Sequence, residues 1–392
     1  MEPAPPTAYL DHAATTPVRP EALAAMLPFF AETFGNPSGG HAVARAAKTA
    51  LESARESVAA DLGAEPGEVV FTAGGTEADN LAVEGAARAA RERGQGDGVV
   101  VAAFEHKAVL AAADRLGREG FRIDVAPVTA GGIVDLDALA ALVDEHTVVV
   151  SVMLVNNEVG TIQPLADVVR IVRARSPHAV VHTDAVQAAA WVDVAVLAAD
   201  VDLISVSAHK LGGPKGTGAL VVRGDVGLVP LIEGGGQERG LRSGTSNVAG
   251  AVGLAAALRA TVATRSETVA HVAELRDRLV AGLETIPGLW CNGDSDAKIA
   301  GNVHVGIPGI EAEALLVLLD REGVCAAAGS SCSSGATEPS HVLAAMGLDR
   351  ADALASIRLS LGFASSPADV DRVLDVLPTA VAQLRGAVGV SR

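Results

Sequence analysis

Aromatic side chains are almost missing from this chain: they make up 3% of its 392 residues, with a single tyrosine among them. Its core must then be built from small aliphatic side chains, alanine and valine above all, in helices and strands. That composition fits an α/β protein. Cysteine is as scarce. Cys291, Cys325 and Cys332 form an odd set without a C-x-x-C pair, so neither a zinc ribbon nor a disulfide framework is supported and at least one thiol is free. No metal site is expected. Positive charge is short, with 30 Lys and Arg against 47 Asp and Glu and a net charge of −17. Without a basic stripe with interleaved aromatics, a nucleic-acid partner is not expected. The longest strongly apolar run, 248–258, stops at Arg259 and is too short to span a bilayer. The opening Met1-Glu2-Pro3-Ala4-Pro5-Pro6 has neither the basic nor the apolar region of a signal peptide. A cytoplasmic protein away from membranes is the expectation.

What is present is length and regular alternation. The chain is long enough for about two to three units of ordinary domain size, burying roughly three quarters of the unfolded surface. Short β-rich runs alternate with alanine-rich stretches over 45–225, the pattern of a parallel sheet with crossover helices. Strands are expected near 69–72, 99–102, 148–155, 180–183, 203–207 and 219–222. Polar and glycine-rich segments follow most of them, and ligands bind at that carboxyl edge in open α/β sheets. After Gly234-Gly235-Gly236 the pattern changes. A helix over 251–283 links the large unit to a second one, which carries helices near 311–322 and after Pro367. The expected boundary lies near 262.

The chain holds five lysines: Lys48, Lys107, Lys210, Lys215 and Lys298. Lys48 reads as part of a solvated helix face, Lys215 lies in a glycine loop, and Lys298 sits in a polar turn. Lys210 stands where the hydrophobic run 201–206 meets the loop Leu211-Gly212-Gly213-Pro214-Lys215-Gly216, with Ser207 and His209 beside it. A strand end that fixes an amine among small neighbours suits a Schiff-base lysine and a flat cofactor. By itself the stretch is read equally well as a surface lysine after a strand, and Lys107, next to His106, is a rival. Asp184 closes another hydrophobic run and could keep a pyridine nitrogen protonated; it reads as readily as a helix cap. Thr72-Ala73-Gly74-Gly75-Thr76-Glu77 runs from a strand into a helix, where free N–H groups suit a phosphate. It lacks the Gly-Lys-Ser/Thr ending of a nucleotide P-loop.

These stretches come in one ordered series with Leu10-Asp11-His12-Ala13-Ala14-Thr15-Thr16, Gly35-Asn36-Pro37-Ser38, Glu105-His106-Lys107, Val155-Asn156-Asn157-Glu158, Ala208-His209-Lys210, Arg242-Ser243-Gly244-Thr245 and Ser356-Ile357-Arg358-Leu359-Ser360. The series resembles the NifS/IscS-like cysteine desulfurases of the class V aminotransferase group, along nearly the whole chain. The resemblance implies a pyridoxal-phosphate-dependent transferase of fold type I: a large domain with a mainly parallel sheet over 16–261, and a smaller α+β domain from 1–15 and 262–392. It implies that Lys210 carries the cofactor, Asp184 pairs with the pyridine nitrogen and His106 stacks on the ring. Gln187 and Asn157 would reach its phenolic oxygen. Gly75, Thr76, Ser207 and His209 would hold the phosphate, joined by Thr245 of a partner subunit in a homodimer with shared sites. For Lys107 the family offers no such role.

Asn36, Asn157 and Arg358 would bind the substrate, Arg358 through a two-pronged carboxylate contact that Lys could not reproduce. Cys332, within Gly329-Ser330-Ser331-Cys332-Ser333-Ser334-Gly335, lies among small polar residues on the segment at about 325–340, where a thiol can move. Ser331 replaces the family's usual alanine, and the Arg-x-Gly-His-His-Cys signature of the other subgroup is absent. The activity implied is L-cysteine desulfurase, giving L-alanine and a persulfide on Cys332 for an acceptor protein, an iron-sulfur scaffold or a thiolation relay. Alternatives are selenocysteine lyase or aminotransferase on the same scaffold, or a catalytically idle sulfur-relay subunit.

Overall fold

A computed structural model describes residues 7–328 and 338–390. Twelve strands run in chain order among the described residues: β1 (Ala8–Tyr9), β2 (Val69–Thr72), β3 (Gly98–Ala102), β4 (Arg122–Ala126), β5 (Thr147–Ser151), β6 (Val180–Asp184), β7 (Leu203–Ser207), β8 (Gly218–Val222), β9 (Trp290–Cys291), β10 (Asn302–Gly306), β11 (Val324–Cys325) and β12 (Ser356–Ser360). Seven form one sheet in the order β2-β8-β7-β6-β5-β3-β4. Strands β4, β3, β5, β6 and β7 are mutually parallel, while β8 runs antiparallel to β7 and β2. The expected mainly parallel sheet is present.

Strands β3, β5, β6 and β7 are buried along their whole length, which is why they read as unbroken valine-rich runs: helices cover both faces and no residue needs to alternate. The expected strand at 148–155 ends as β5 at Ser151; Val152 N and Leu154 N still donate to His182 O and Asp184 O of β6, while Met153 between them reaches the site. Edge strand β4 was not anticipated. Its Arg-Ile-Asp-Val-Ala pattern mixes charge with apolar residues and stays partly exposed, as suits a sheet edge guarded against pairing.

A second core surrounds β10, paired antiparallel with β9 and β12, and the short parallel pair β1–β11. Helices Ala312–Arg321 and Pro367–Val390 pack on it. Helix Val248–Leu283 belongs to both cores: Leu254 and Leu258 are buried in the first, and Val272, Leu275, Leu279 and Leu283 in the second. Between them Thr261 and Thr264 donate to the carbonyls of Ala257 and Ala260, at 2.8 and 2.9 Å. The boundary expected near 262 falls at this point within one continuous helix. Beyond it the chain returns to the first core at Ile299 and again at Val342, Leu343, Met346 and Ala353, all buried there. By length and composition this helix is apolar enough to cross a bilayer, but its apolar side chains are taken up by the two cores.

Candidate active site

The carboxyl ends of β3, β5, β6 and β7 converge on a cavity of about 320 Å³, closed from the other side by β12 and the segment after β1. Lys210 ends the turn Ala208–Lys210 that follows β7. Ala208 is fully buried and tied to Thr217 O and Gly213 N, so the backbone under the lysine is fixed. Its Nζ donates to the carbonyls of Ala13 and, at 2.7 Å, Ala14. Those carbonyls are held in turn by Ala13 N on Ser360 Oγ (2.9 Å) and by the Tyr9 hydroxyl on Thr15 O (2.9 Å).

Asp184, the last residue of β6, is 4% exposed and accepts from Val186 N at 2.8 Å. One ligating atom each of Asp79, His106 and Asp184 lie within 4.8 Å of one another. Burial pushes Asp184 above the usual carboxylate range, against the pull of His106 and Lys210. Asp79 is pushed well above it by burial and then by Asp184, and Glu105 by the same two causes. Such a set is starved of positive charge, and one of its oxygens, Asp79 Oδ1, has no hydrogen-bond partner. A divalent ion is one answer, but His106 caps the helix Lys107–Arg118 by accepting Ala108 N on Nδ1 at 3.1 Å. With that lone pair engaged, the neutral ring carries its proton on Nε2 and offers a donor where an ion needs a lone pair. A flat ring with a protonated nitrogen fits the same place and supplies the missing charge.

At the other end of the cavity the chain makes an anion cradle. Helix Gly75–Asn80 directs its free N–H groups there. A Cβ on Gly75 would lie 2.7 Å from Val186 Cγ2, so only glycine lets the turn approach the ends of β6 and β7 this closely. Thr76, Ser207 and His209 line the same wall. Burial, and then Lys210, bring His209 down to about 4, so at neutral pH it meets an anion as a neutral hydrogen-bond donor. Gln187 donates to Ala13 O at 2.8 Å. Arg358 lies mid-strand on β12, 2% exposed, with one nitrogen on Asp11 Oδ1 (2.9 Å) and another on Asn157 O (2.8 Å).

Of the expected site residues, Gly75, Thr76, His106, Asn157, Asp184, Gln187, Ser207, His209, Lys210 and Arg358 line this one cavity. Asn36 and Thr245 do not: both are exposed, the Asn36 side chain accepting Ser38 N at 3.0 Å. Cys332 lies outside the described residues. Cys291 and Cys325, on β9 and β11, do not line the cavity, and burial raises both thiols. Lys298, in its polar turn, donates to Asn292 O at 2.8 Å, and burial lowers it to about 8. Sequence reasoning passed over Asp11, Asp79, Glu105, Glu158 and His341. Glu158 receives the Ser340 hydroxyl, and His341 Nε2 lies 2.9 Å from Glu105 O. For Asp11 and Glu158 the available signal was a carboxylate inside a motif stretch already singled out.

The aminotransferase class-V family model matches residues 8–373. A cysteine desulfurase IscS of Methanosarcina thermophila is 44% identical over 377 residues, covering 96% of this chain and 92% of its own. An IscS-like cysteine desulfurase of Mycobacterium tuberculosis is 47% identical over 395 residues, covering 98% and 100%. The chain belongs to the class-V aminotransferase family, among its NifS/IscS-like cysteine desulfurases. Solved structures of this group agree in fold: a NifS-like protein superimposes with a TM-score of 0.90 at 38% identity, covering 96% of this chain and 100% of that one. SspA in complex with cysteine gives 0.79 at 33%, covering 91% and 99%. Class V desulfurases depend on pyridoxal phosphate, and the cavity has an amine, a buried carboxyl and an anion cradle in the places such a group needs.

Proposed function

We propose that the Lys210 cavity binds pyridoxal 5′-phosphate and L-cysteine, and that the enzyme converts cysteine to alanine while passing its sulfur to Cys332. The observation that carries this reading is the Lys210 amine, held on two carbonyls in the cavity that also contains buried Asp184 and the Gly75 turn. When bound, the cofactor supplies an electron sink for the substrate α-carbon. Gly75, Thr76, Ser207 and His209 hold its phosphate, Asp184 keeps the proton on its ring nitrogen, His106 covers the ring, and Gln187 and Asn157 reach its phenolic oxygen.

Arg358, held between Asp11 and Asn157, orients the substrate carboxylate. Lys210 Nζ moves a proton off the substrate α-carbon and is poised to return one. The substrate C–S bond then breaks: sulfur joins the Cys332 thiol as a persulfide, and the electron pair left on carbon takes a proton to give alanine. Reduction with borohydride, followed by peptide mapping, is expected to fix the cofactor on Lys210. A modified Lys107 instead, or no adduct, would reassign the site.

A second copy of the chain completes the site in this reading. Leu27, Phe30 and Phe34 are 58%, 65% and 70% exposed, an apolar patch that a subunit partner would cover, and Thr245 is displayed outside its own cavity, where it can serve a neighbour's. The persulfide then passes to an acceptor protein, an iron-sulfur scaffold or a thiolation relay, in the cytoplasm.

A further inference from the structure

Two residues outside the cavity hold an unfavourable backbone. Glu238 and Arg239 have φ of 48° and 58°, and among the described residues they are the non-glycine positions in the left-handed region. Long side chains avoid that region, so something must hold them there. The Glu238 carboxylate is 5% exposed and takes both ends of the Arg55 guanidinium, at 2.6 and 3.0 Å, and Phe71 N at 2.9 Å. Arg55, on helix Ala42–Leu62, also donates to Val69 O (2.8 Å) and Glu52 (3.0 Å) and lies 4.9 Å from the Phe71 ring centroid. The strained turn is thus bolted to both ends of a two-residue step of β2, the strand that leads into the Gly75 cradle.

The same loop reaches the cradle a second time. Arg242 pairs with Glu77 (2.8 Å), a first-turn residue of the cradle helix, and the other Glu77 oxygen accepts Ala73 N at 2.9 Å. We propose that the Arg55–Glu238 ion pair is a positioning device for the phosphate-facing turn 73–76, acting through the loop 236–242 and the Arg242–Glu77 pair. The strained pair of residues sets the direction in which Arg242 leaves the loop. Glu77, gripped by Arg242, holds Ala73 N and so aims the N–H groups of the turn at the cavity.

The inference rests on reading the cavity as a pyridoxal phosphate site. The experiment uses apoprotein with three probes: pyridoxal 5′-phosphate, inorganic phosphate, and pyridoxal, which lacks the phosphate. In Glu238→Gln, dissociation constants for the two phosphate probes are expected to rise about tenfold, the effect of one charge-assisted hydrogen bond, while that for pyridoxal stays at the wild-type value. Hydrogen exchange should quicken both in 236–242 and in 73–77. Arg239→Gly, which removes strain and leaves the ion pair, should keep wild-type affinities. If Glu238→Gln does not fold, Arg242→Lys breaks the planar contact to Glu77 and is expected to show the same selective loss. Equal loss for pyridoxal, or faster exchange in 236–242 with phosphate affinity unchanged, would overturn the positioning role. A wild-type protein that takes up none of the probes would instead overturn the cofactor reading, and the inference with it.

Discussion

Lys210 and Lys107 share one cavity, yet the first rests on two carbonyls of a tethered segment and the second begins a helix at an exposed position. The Lys210 amine is held by the segment that closes the cavity, so chemistry at this site is sensitive to what surrounds Lys210. Asp184 is the clearest case. Asp184→Asn keeps the shape and the Val186 contact but cannot hold a proton on a ring nitrogen; the expected result is retained cofactor and a rate of alanine formation lower by roughly 100-fold or more. A near wild-type rate at saturating cofactor would make Asp184 a turn cap only. Cys332→Ser should load cofactor and bind cysteine yet release no sulfide with a reductant, whereas Cys291→Ser and Cys325→Ser remain active; mass spectrometry after brief exposure to cysteine should place the added sulfur on the Cys332 peptide. At this scale Lys210 and Asp184 were marked by standing at the ends of apolar runs, and the ordered motif series gave them their expected roles. Asp79 and Glu105 were not, because their function depends on burial beside Asp184, which no local pattern in the sequence records.

Strand β8 shows how an element without reactive groups supports the site. Its first residue, Gly218, faces the cradle from behind: a Cβ there would lie 2.7 Å from both Gly74 C and Val206 O, backbone atoms that cannot swing aside. Gly218→Ala is expected to cost about 1–3 kcal/mol of stability as overpacking and to shrink the rise in melting temperature that cofactor gives, measured by thermal melts with and without it. Loss of stability with full cofactor response would separate β8 from the cradle. The central strands were readable as elements because burial on both faces leaves uninterrupted apolar runs. Edge strand β4 and the early end of β5 were not, since the first is disguised by charge and the second is set by tertiary pairing, which ends at Ser151 opposite His182 while β6 runs on to Asp184. The antiparallel course of β8 leaves no mark in its own residues either.

Two cores joined by one helix leave several histidines in places water does not reach. His12 and His182 are lowered to about 4 and about 3, and His304 to about 3, each chiefly by burial. His304 lies on β10 opposite Arg358 of β12 and contacts Asn292 at 3.0 Å. Below about pH 6.5 the unfolded chain binds a proton there that the folded chain refuses, so stability falls as pH drops, by about 1.4 kcal/mol per pH unit for each such group until the folded value is reached. In His304→Gln, denaturant melts between pH 7 and 4 should show a shallower decline than wild type; identical slopes would mean that His304 takes up its proton at the same pH folded as unfolded. The division of the chain into 16–261 against 1–15 with 262–392 remains our proposal for how these cores act as units. One pairing also bears on synthesis. Asp11 and Arg358 meet across 347 positions of sequence, and β1 waits for β11. At about 5–20 residues per second the ribosome needs roughly 17–70 s to make that span. The large sheet, complete by Val222, can condense long before, while the segment whose carbonyls hold Lys210 has no strand to join. Lys210 is therefore made well before the segment that positions it is fixed, and a nascent chain still short of Arg358 cannot yet carry the complete pocket.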